Sequence, residues 1–218
     1  MSLGGATEDG IVGSGGSEIL YAGASDFRMT VSGGSLADYG TAQDDTITAG
    51  GSQTVFAGGL ASGTVVSARG VDTVLAGGTD ITATVNGQQY VYGTARGTML
   101  DGGAFQYVQS DGVASGVTIA TGDFQVVLAG GLAVSTTVSS GGEQDVFGTA
   151  SSTVVEAGGS ETVDAGGTDY NAAISAGGSQ RVFGNGSSFD ALNDTIYSGG
   201  TQIVSSGGVT YATTISSG

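Results

Sequence analysis

One motif recurs from end to end of this chain, and its spacing restricts the fold more than any other property of the sequence. Two glycines are followed by x-Gln-x-Val, then eight to thirteen residues later by Thr-Val or Thr-Ile, then by Gly-Gly again. The position typified by Gln is filled by Glu18, Leu36, Gln53, Asp72, Gln89, Gln106, Gln125, Gln144, Glu161, Gln180 and Gln202. Eleven units with a mean period of about 18 residues are the signature of a solenoid. A chain whose parts touch only their neighbours builds its core by stacking, so function is to be sought on a long lateral surface rather than in one pocket.

Glycine makes up 44 of the 218 residues, with no proline and no cysteine. Collagen would need glycine at every third position, and disorder is opposed by regularly placed Val and Ile. The glycines come mostly in pairs, as at Gly50-Gly51, Gly130-Gly131 and Gly177-Gly178, where a tight corner can take positive φ without a Cβ clash. Between corners lie short β-branched or aromatic runs such as Gln53-Thr54-Val55-Phe56, which favour strands. Absence of proline agrees, because a stacked strand needs its N–H for the ladder. The expected architecture is all-β, a single-stranded parallel β-helix of about eleven coils, roughly 50 Å long at the strand spacing of about 4.8 Å.

The formal charge is −16, from 20 acidic side chains against Arg28, Arg69, Arg96 and Arg181. No basic patch exists to displace counterions, so nucleic acid is excluded as a partner. The acids read as a solvated surface that repels anionic membranes, and no run of 18 apolar residues offers a membrane span. Residues 1–5 lack the basic start and apolar core of a signal peptide. Residues 1–3 read as a leader outside the array and residues 4–218 as one repeat solenoid, a fragment of a longer one. Neither end resembles a capping unit, and residues 213–218 stop where the next Gly-Gly is due.

Aligning the units stacks like residues in columns. One column, apolar in ten of eleven coils, runs through Leu20, Asp38, Val55, Val74, Val91, Val108, Val127, Val146, Val163, Val182 and Val204; a second runs through Val31, Ile47, Val66, Val85, Leu100, Ile119, Val138, Val155, Ile174, Ile196 and Ile215. Both are expected to face inward as the core. The amide column of Gln53, Gln89, Gln106, Gln125, Gln144, Gln180 and Gln202 is expected to face outward, as a side-chain ladder of the cross-β kind or as a ligand-binding surface stripe. After the Val column come Tyr21, Tyr39, Phe56, Tyr92, Phe147 and Phe183. They form either an exposed stripe suited to stacking on sugars or a corner turned inward. A threonine column, Thr30, Thr46, Thr84, Thr98, Thr118, Thr137, Thr195 and Thr214, is expected on the outside for its β propensity. Ice binding would need two flat Thr ranks, and Arg28, Asp44, Arg96 and Asn193 interrupt them.

With no His, Cys or Lys, the chain cannot build a Ser-His-Asp triad, a thiol nucleophile, a Schiff base or a His-ligated zinc site. Acid pairs that could hydrolyse glycosides are Asp44 with Asp45 and Asp190 with Asp194, beside a bulge at residues 185–189, but units of near-constant length leave little room for a cleft. A calcium-dependent β-roll would show Gly-Gly-x-Gly-x-Asp, which is absent; Thr79-Asp80 and Thr168-Asp169 follow Gly-Gly without recurring in register. The reading is therefore no enzyme, no cofactor and no metal.

Units such as Gly141-Gly142-Glu143-Gln144-Asp145-Val146-Phe147-Gly148-Thr149-Ala150, continuing to Thr153-Val154-Val155-Glu156-Ala157-Gly158-Gly159, resemble the passenger-domain repeats of AIDA-type autotransporter adhesins. The resemblance covers nearly all of residues 15–218, and the unit at Leu36-Ala37-Asp38-Tyr39 departs from it in a way that suggests a local register change. It implies a right-handed parallel β-helical stalk on the bacterial surface, serving adhesion, autoaggregation or biofilm formation. The implied partners are proteins or glycans of neighbouring bacterial or host cells, a second copy of the chain, and a glycosyltransferase acting on Ser or Thr. A carbohydrate-binding or carbohydrate-active β-helix and a calcium-dependent β-roll stand as the alternatives.

Overall fold

The computed structural model describes residues 5–184 and 189–216. Residues 1–3, read as a leader, and residues 185–188, read as a bulge, lie outside them. The chain winds into a parallel β-solenoid with three faces, whose sheets hold 11, 12 and 12 strands. Each coil contributes a four-residue strand to a long face (Ser52–Val55), a three-residue strand to a middle face (Leu60–Ser62) and a two-residue strand to a short face (Val65–Val66). All inter-coil pairings are parallel and stay in one register: Val108 pairs with Val127, Ala114 with Ala133, Ile119 with Val138. The fold class expected from the period is observed.

The two apolar columns point inward and are buried from Leu20 to Val182 and from Val31 to Ile196, with Asp38 taking one inward place, but Val204 and Ile215, expected in the same core, are exposed. A third inward column was not anticipated: Ala42, Ala61, Ala95, Ala114, Ala133, Ala150 and Ala191 line the middle face. Alanine is too small to register as a hydrophobic stripe, yet only a small side chain fits where a three-residue face closes over a core this narrow. The suspected register change at Leu36 does not occur. Leu36 pairs with Gln53 and Asp38 with Val55 in the common register, and the Asp38 carboxylate turns back to accept the Gly40 N–H at 2.8 Å.

Corners are built in two ways. At Gly130-Gly131 the first glycine has φ of +83°, while a Cβ on the second would lie 2.6 Å from the Val108 carbonyl oxygen of the preceding coil. The pair is thus conformational at one position and steric at the next, which corrects the simpler reading that both serve positive φ. Between the middle and short faces a single left-handed residue turns the chain in every coil, among them Asp44, Thr82, Ser135, Ser152, Asn171 and Asn193 at φ between +55° and +60°. Its N–H donates to a carbonyl of the following coil, as from Thr82 to Arg96 at 2.7 Å, so the strain is offset by the ladder.

A β-branched residue in this conformation costs about 1–2 kcal/mol, and Gly63, Gly97 and Gly116 hold the same corner in other coils. Thr82→Gly is therefore expected to stabilise the rod by about 1 kcal/mol, read as a higher melting temperature. Gly131→Ala, which forces Cβ onto backbone, is expected to destabilise it by about 1–3 kcal/mol.

Candidate functional site

The amide column lies inside the solenoid, not on its surface. Gln53, Gln89, Gln106, Gln125, Gln144 and Gln180 are fully buried and Gln202 partly so. The reason is visible in the strand: Gln53 and Val55 are two residues apart, and side chains two apart share a face. With the Val column inward, the amides must be inward too. Each Nε2 donates to the Oε1 of the coil before it, from Gln106 to Gln89, Gln125 to Gln106 and Gln144 to Gln125, each at 2.6 Å, and from Gln202 to Gln180 at 2.7 Å. Neighbouring hydroxyls cap spare lone pairs: Thr136 donates to Gln125 at 3.2 Å and Thr153 to Gln144 at 3.1 Å. Thr98, placed with the outward threonines by sequence, belongs with these and is buried, whereas Thr30, Thr46, Thr84, Thr118, Thr137 and Thr195 are half-exposed on the short face. Gln53, stacked between Leu36 and Asp72, has neither amide atom bonded.

Acids are also inside. Ten of the twenty carboxyl groups are buried: Asp26, Asp38, Asp45, Asp72, Asp80, Asp123, Glu161, Asp169, Asp190 and Asp194. All four arginines are exposed, so no cation accompanies them. The surface therefore carries half of the acidic charge that composition suggests, which corrects the reading of a uniformly acidic exterior. Gln180 Nε2 bridges Glu161 at 2.9 Å and Asp169 at 3.0 Å, and Gln89 Nε2 bridges Asp72 at 2.9 Å and Asp80 at 2.8 Å. Burial without a cation pushes these acids up: Asp26 to about 8, Glu161 to about 7, and Asp38, Asp45, Asp72 and Asp194 to about 6. Asp80 and Asp169 rise well above the ordinary carboxylate range, first through loss of solvent and then through the carboxylates of Asp72 and of Glu161 and Asp194.

The acid pairs considered for glycoside hydrolysis do not form a catalytic dyad. Asp45 accepts the Met29 N–H at 2.8 Å inside the core, while Asp44 points to solvent from its left-handed corner. Asp190 accepts the Val209 N–H at 2.8 Å, and Asp194 accepts the Ala172 N–H at 3.0 Å and Gln202 Nε2 at 2.9 Å. Asp80 and Asp169, the two acids after Gly-Gly, are likewise inward. Among the described residues no three acidic side chains converge as metal ligands.

On the outside, the column after Val is exposed or half-exposed, so the inward-corner reading of Tyr21, Tyr39, Phe56, Tyr92, Phe147 and Phe183 is set aside. Tyr39 and Phe56 stack with centroids 4.2 Å apart. A second aromatic ladder, missed in the sequence, stands on the long face: Tyr90 with Tyr107 at 5.3 Å and Phe105 with Phe124 at 5.0 Å, their planes within 12°. These spacings match one coil step, so the rings cover one another's faces and show solvent their edges, a poor surface for stacking on sugars. A shallow depression of about 400 Å³ is lined by Ile19, Tyr21, Ala22 and Tyr39. The middle face carries no outward carboxylate on any strand from Ser25–Phe27 to Thr210–Tyr211; its acids Asp26, Asp80 and Asp169 all point in.

The described residues form a three-faced parallel solenoid with an amide-spined core. No protein-family model and no curated protein matches the chain. Among solved structures it is similar to a TibA fragment, residues 55–350, hyper-glycosylated in a TibC-catalysed reaction. Identity is 28% and the TM-score 0.68, and the match covers 98% of this chain and 100% of that one. The likeness extends over the whole solenoid and supports the resemblance seen in the repeats at the level of the fold.

Replacing Gln125 by Leu would strand the Gln144 Nε2 donor and the Gln106 Oε1 acceptor in the core. Each buried group left unpaired costs about 1–3 kcal/mol, so Gln125→Leu is expected to unfold at markedly lower denaturant than Thr137→Ala on the half-exposed short face.

Proposed function

We propose that this chain is a non-enzymatic, adhesin-like segment displayed outside a bacterial cell, a stiff spacer whose sides make the contacts. The observation that carries this reading is the end-to-end likeness to the glycosylated TibA fragment of a solenoid whose buried chemistry is committed to its own core. Stiffness follows from three unbroken ladders of backbone bonds.

Self-association is the contact we assign to the middle face. Two rods that each bear exposed acids repel one another wherever those acids meet. From Ser25–Phe27 to Thr210–Tyr211 the middle face presents instead Leu60, Ile81, Val113, Leu132, Val134 and Tyr170 among serines and threonines, with Arg96 as the one outward charge on those strands. The short face is equally free of strand acids but one outward residue wide, and Asp44, Asp101 and Glu156 flank it. Exposed hydroxyls of the same faces are the proposed acceptors for a glycosyltransferase, by analogy with the modification of the TibA fragment.

A second reading is favoured by one observation, the depression beside Tyr21 and Tyr39, whose aromatic lining suits a glycan. Ser115→Glu with Ser151→Glu, both at half-exposed positions of the middle face, is expected to abolish aggregation of cells displaying the chain and leave melting unchanged. Loss of aggregation on Tyr21→Ala with Tyr39→Ala instead, restored by no charge change, would favour the glycan reading.

A further inference from the structure

Three times along the chain an acid in the amide column is followed eight residues later by an acid in the alanine column of the same coil: Glu18 with Asp26, Asp72 with Asp80, and Glu161 with Asp169. In no other coil of residues 5–184 does either column pair an acid with an acid. Two of these pairs are closed by the glutamine of the next coil, Gln89 or Gln180, whose single Nε2 bonds to both carboxyls. In the first pair the next coil offers Leu36, and Asp26 faces Asp45, Glu18 and Asp38 instead. Asp72 and Asp80 face each other; Asp169 faces Glu161 and Asp194. No Lys exists in the chain and every Arg is outside. Asp72 Oδ1, Asp80 Oδ1, Glu161 Oε1 and Asp169 Oδ1 are buried with no donor directed at them.

Two carboxylates sharing one amide donor in a dry core cannot both be ionised, so a proton must sit between or beside them. We propose that the two amide-bridged pairs, Asp72 with Asp80 and Glu161 with Asp169, are proton-binding latches: they hold the flanking coils shut in mild acid and release them as the pH rises, while the amide coils of Gln106 and Gln125 between them stay shut throughout. The proton is carried as an O–H on one acid of the pair, and on release it passes to water and leaves two negative charges in the coil.

The direction is set by which state holds the proton more tightly. Folding raises these groups above their ordinary value of 3.8 or 4.5, to about 6 for Asp72 and about 7 for Glu161, with Asp80 and Asp169 well above it. The stabilisation is complete below that ordinary value and is lost as pH climbs from there to the folded value, a window from about 4 to about 7. Over that window the unfolding equilibrium constant rises about tenfold per pH unit for each carboxyl that keeps its proton when folded. The amide coils hold one buried acid, Asp123, whose Oδ1 accepts the N–H groups of Gly103 and Ala104 at 2.7 Å.

The test combines thermal unfolding of the whole chain from about pH 4.5 to about pH 8.5 with infrared spectra of the folded protein. A melting temperature that falls with pH, together with a protonated-carboxyl band that persists near neutral pH, is expected. Asp80→Asn with Asp169→Asn, which installs a permanent donor, should flatten the fall and weaken the band. The surface pair Asp101→Asn with Glu156→Gln should leave both unchanged. High salt screens repulsion among exposed acids but not the buried pairs, so a fall that vanishes in salt would overturn the proposal. A melting temperature that is flat or rises with pH, or the absence of the band in the wild type, would do the same, whether or not the variants fold.

Discussion

Everything in this molecule depends on coil-to-coil register. Parallel strands stack with each residue over its equivalent in the next coil, so any side chain placed inward once is met by its own kind at about 4.8 Å above and below. The consequence is opposite for different chemistries. Valine on valine buries apolar surface, glutamine on glutamine completes a hydrogen-bonded chain, and aromatic on aromatic closes its own ring faces. Carboxylate on carboxylate would be repulsive, and the chain never stacks two buried acids in adjacent coils of the amide column. Asp72 lies between Gln53 and Gln89, and Glu161 between Gln144 and Gln180.

The same geometry explains why polar residues are tolerated in a core this thin. A solenoid interior is one side chain deep from each face, so it cannot segregate an apolar centre from a polar shell. Amides solve this by bonding along the axis, where the repeat supplies a donor and an acceptor at a fixed distance. That ladder is directional, each Nε2 pointing toward the preceding coil, and a substitution that removes one member exposes two orphaned atoms. The threonines at 136 and 153 add a lateral tie to the column. A polar spine so constructed resists slippage by one residue, which would carry every amide and valine to the outside at once.

Much of this was legible in the sequence, and what was not has physical causes. Period, glycine corners and the Val and Ile columns gave the solenoid, because large β-branched residues in register are a strong signal. The middle face escaped because Ala42, Ala61, Ala95 and Ala114 carry little hydrophobic weight. The Gln column was misplaced by the habit of reading amides as exposed, although its two-residue offset from valine fixed its direction. The left-handed corner was hidden because Asp, Asn, Ser and Thr fill it in seven coils and Gly in only three. The acid pairs eight apart were present as a spacing, but their meaning depends on two faces folding toward each other, which no local pattern states.

Burial of half the carboxyls also changes how the exterior is to be understood. The outside presents ten acids and four arginines, a modest excess compatible with side-by-side approach along a face whose strands, from Ser25–Phe27 to Thr210–Tyr211, turn no acid outward. Had Asp26, Asp80 and Asp169 pointed outward, they would have placed a negative charge on that middle face near each end and near its centre. Turning them inward removes charge from the proposed contact surface and moves it to positions where protonation sustains the fold. The two proposed roles are coupled by a single backbone choice, since the side of the strand that an acid occupies decides both the charge of the proposed contact face and the number of carboxyls in the core.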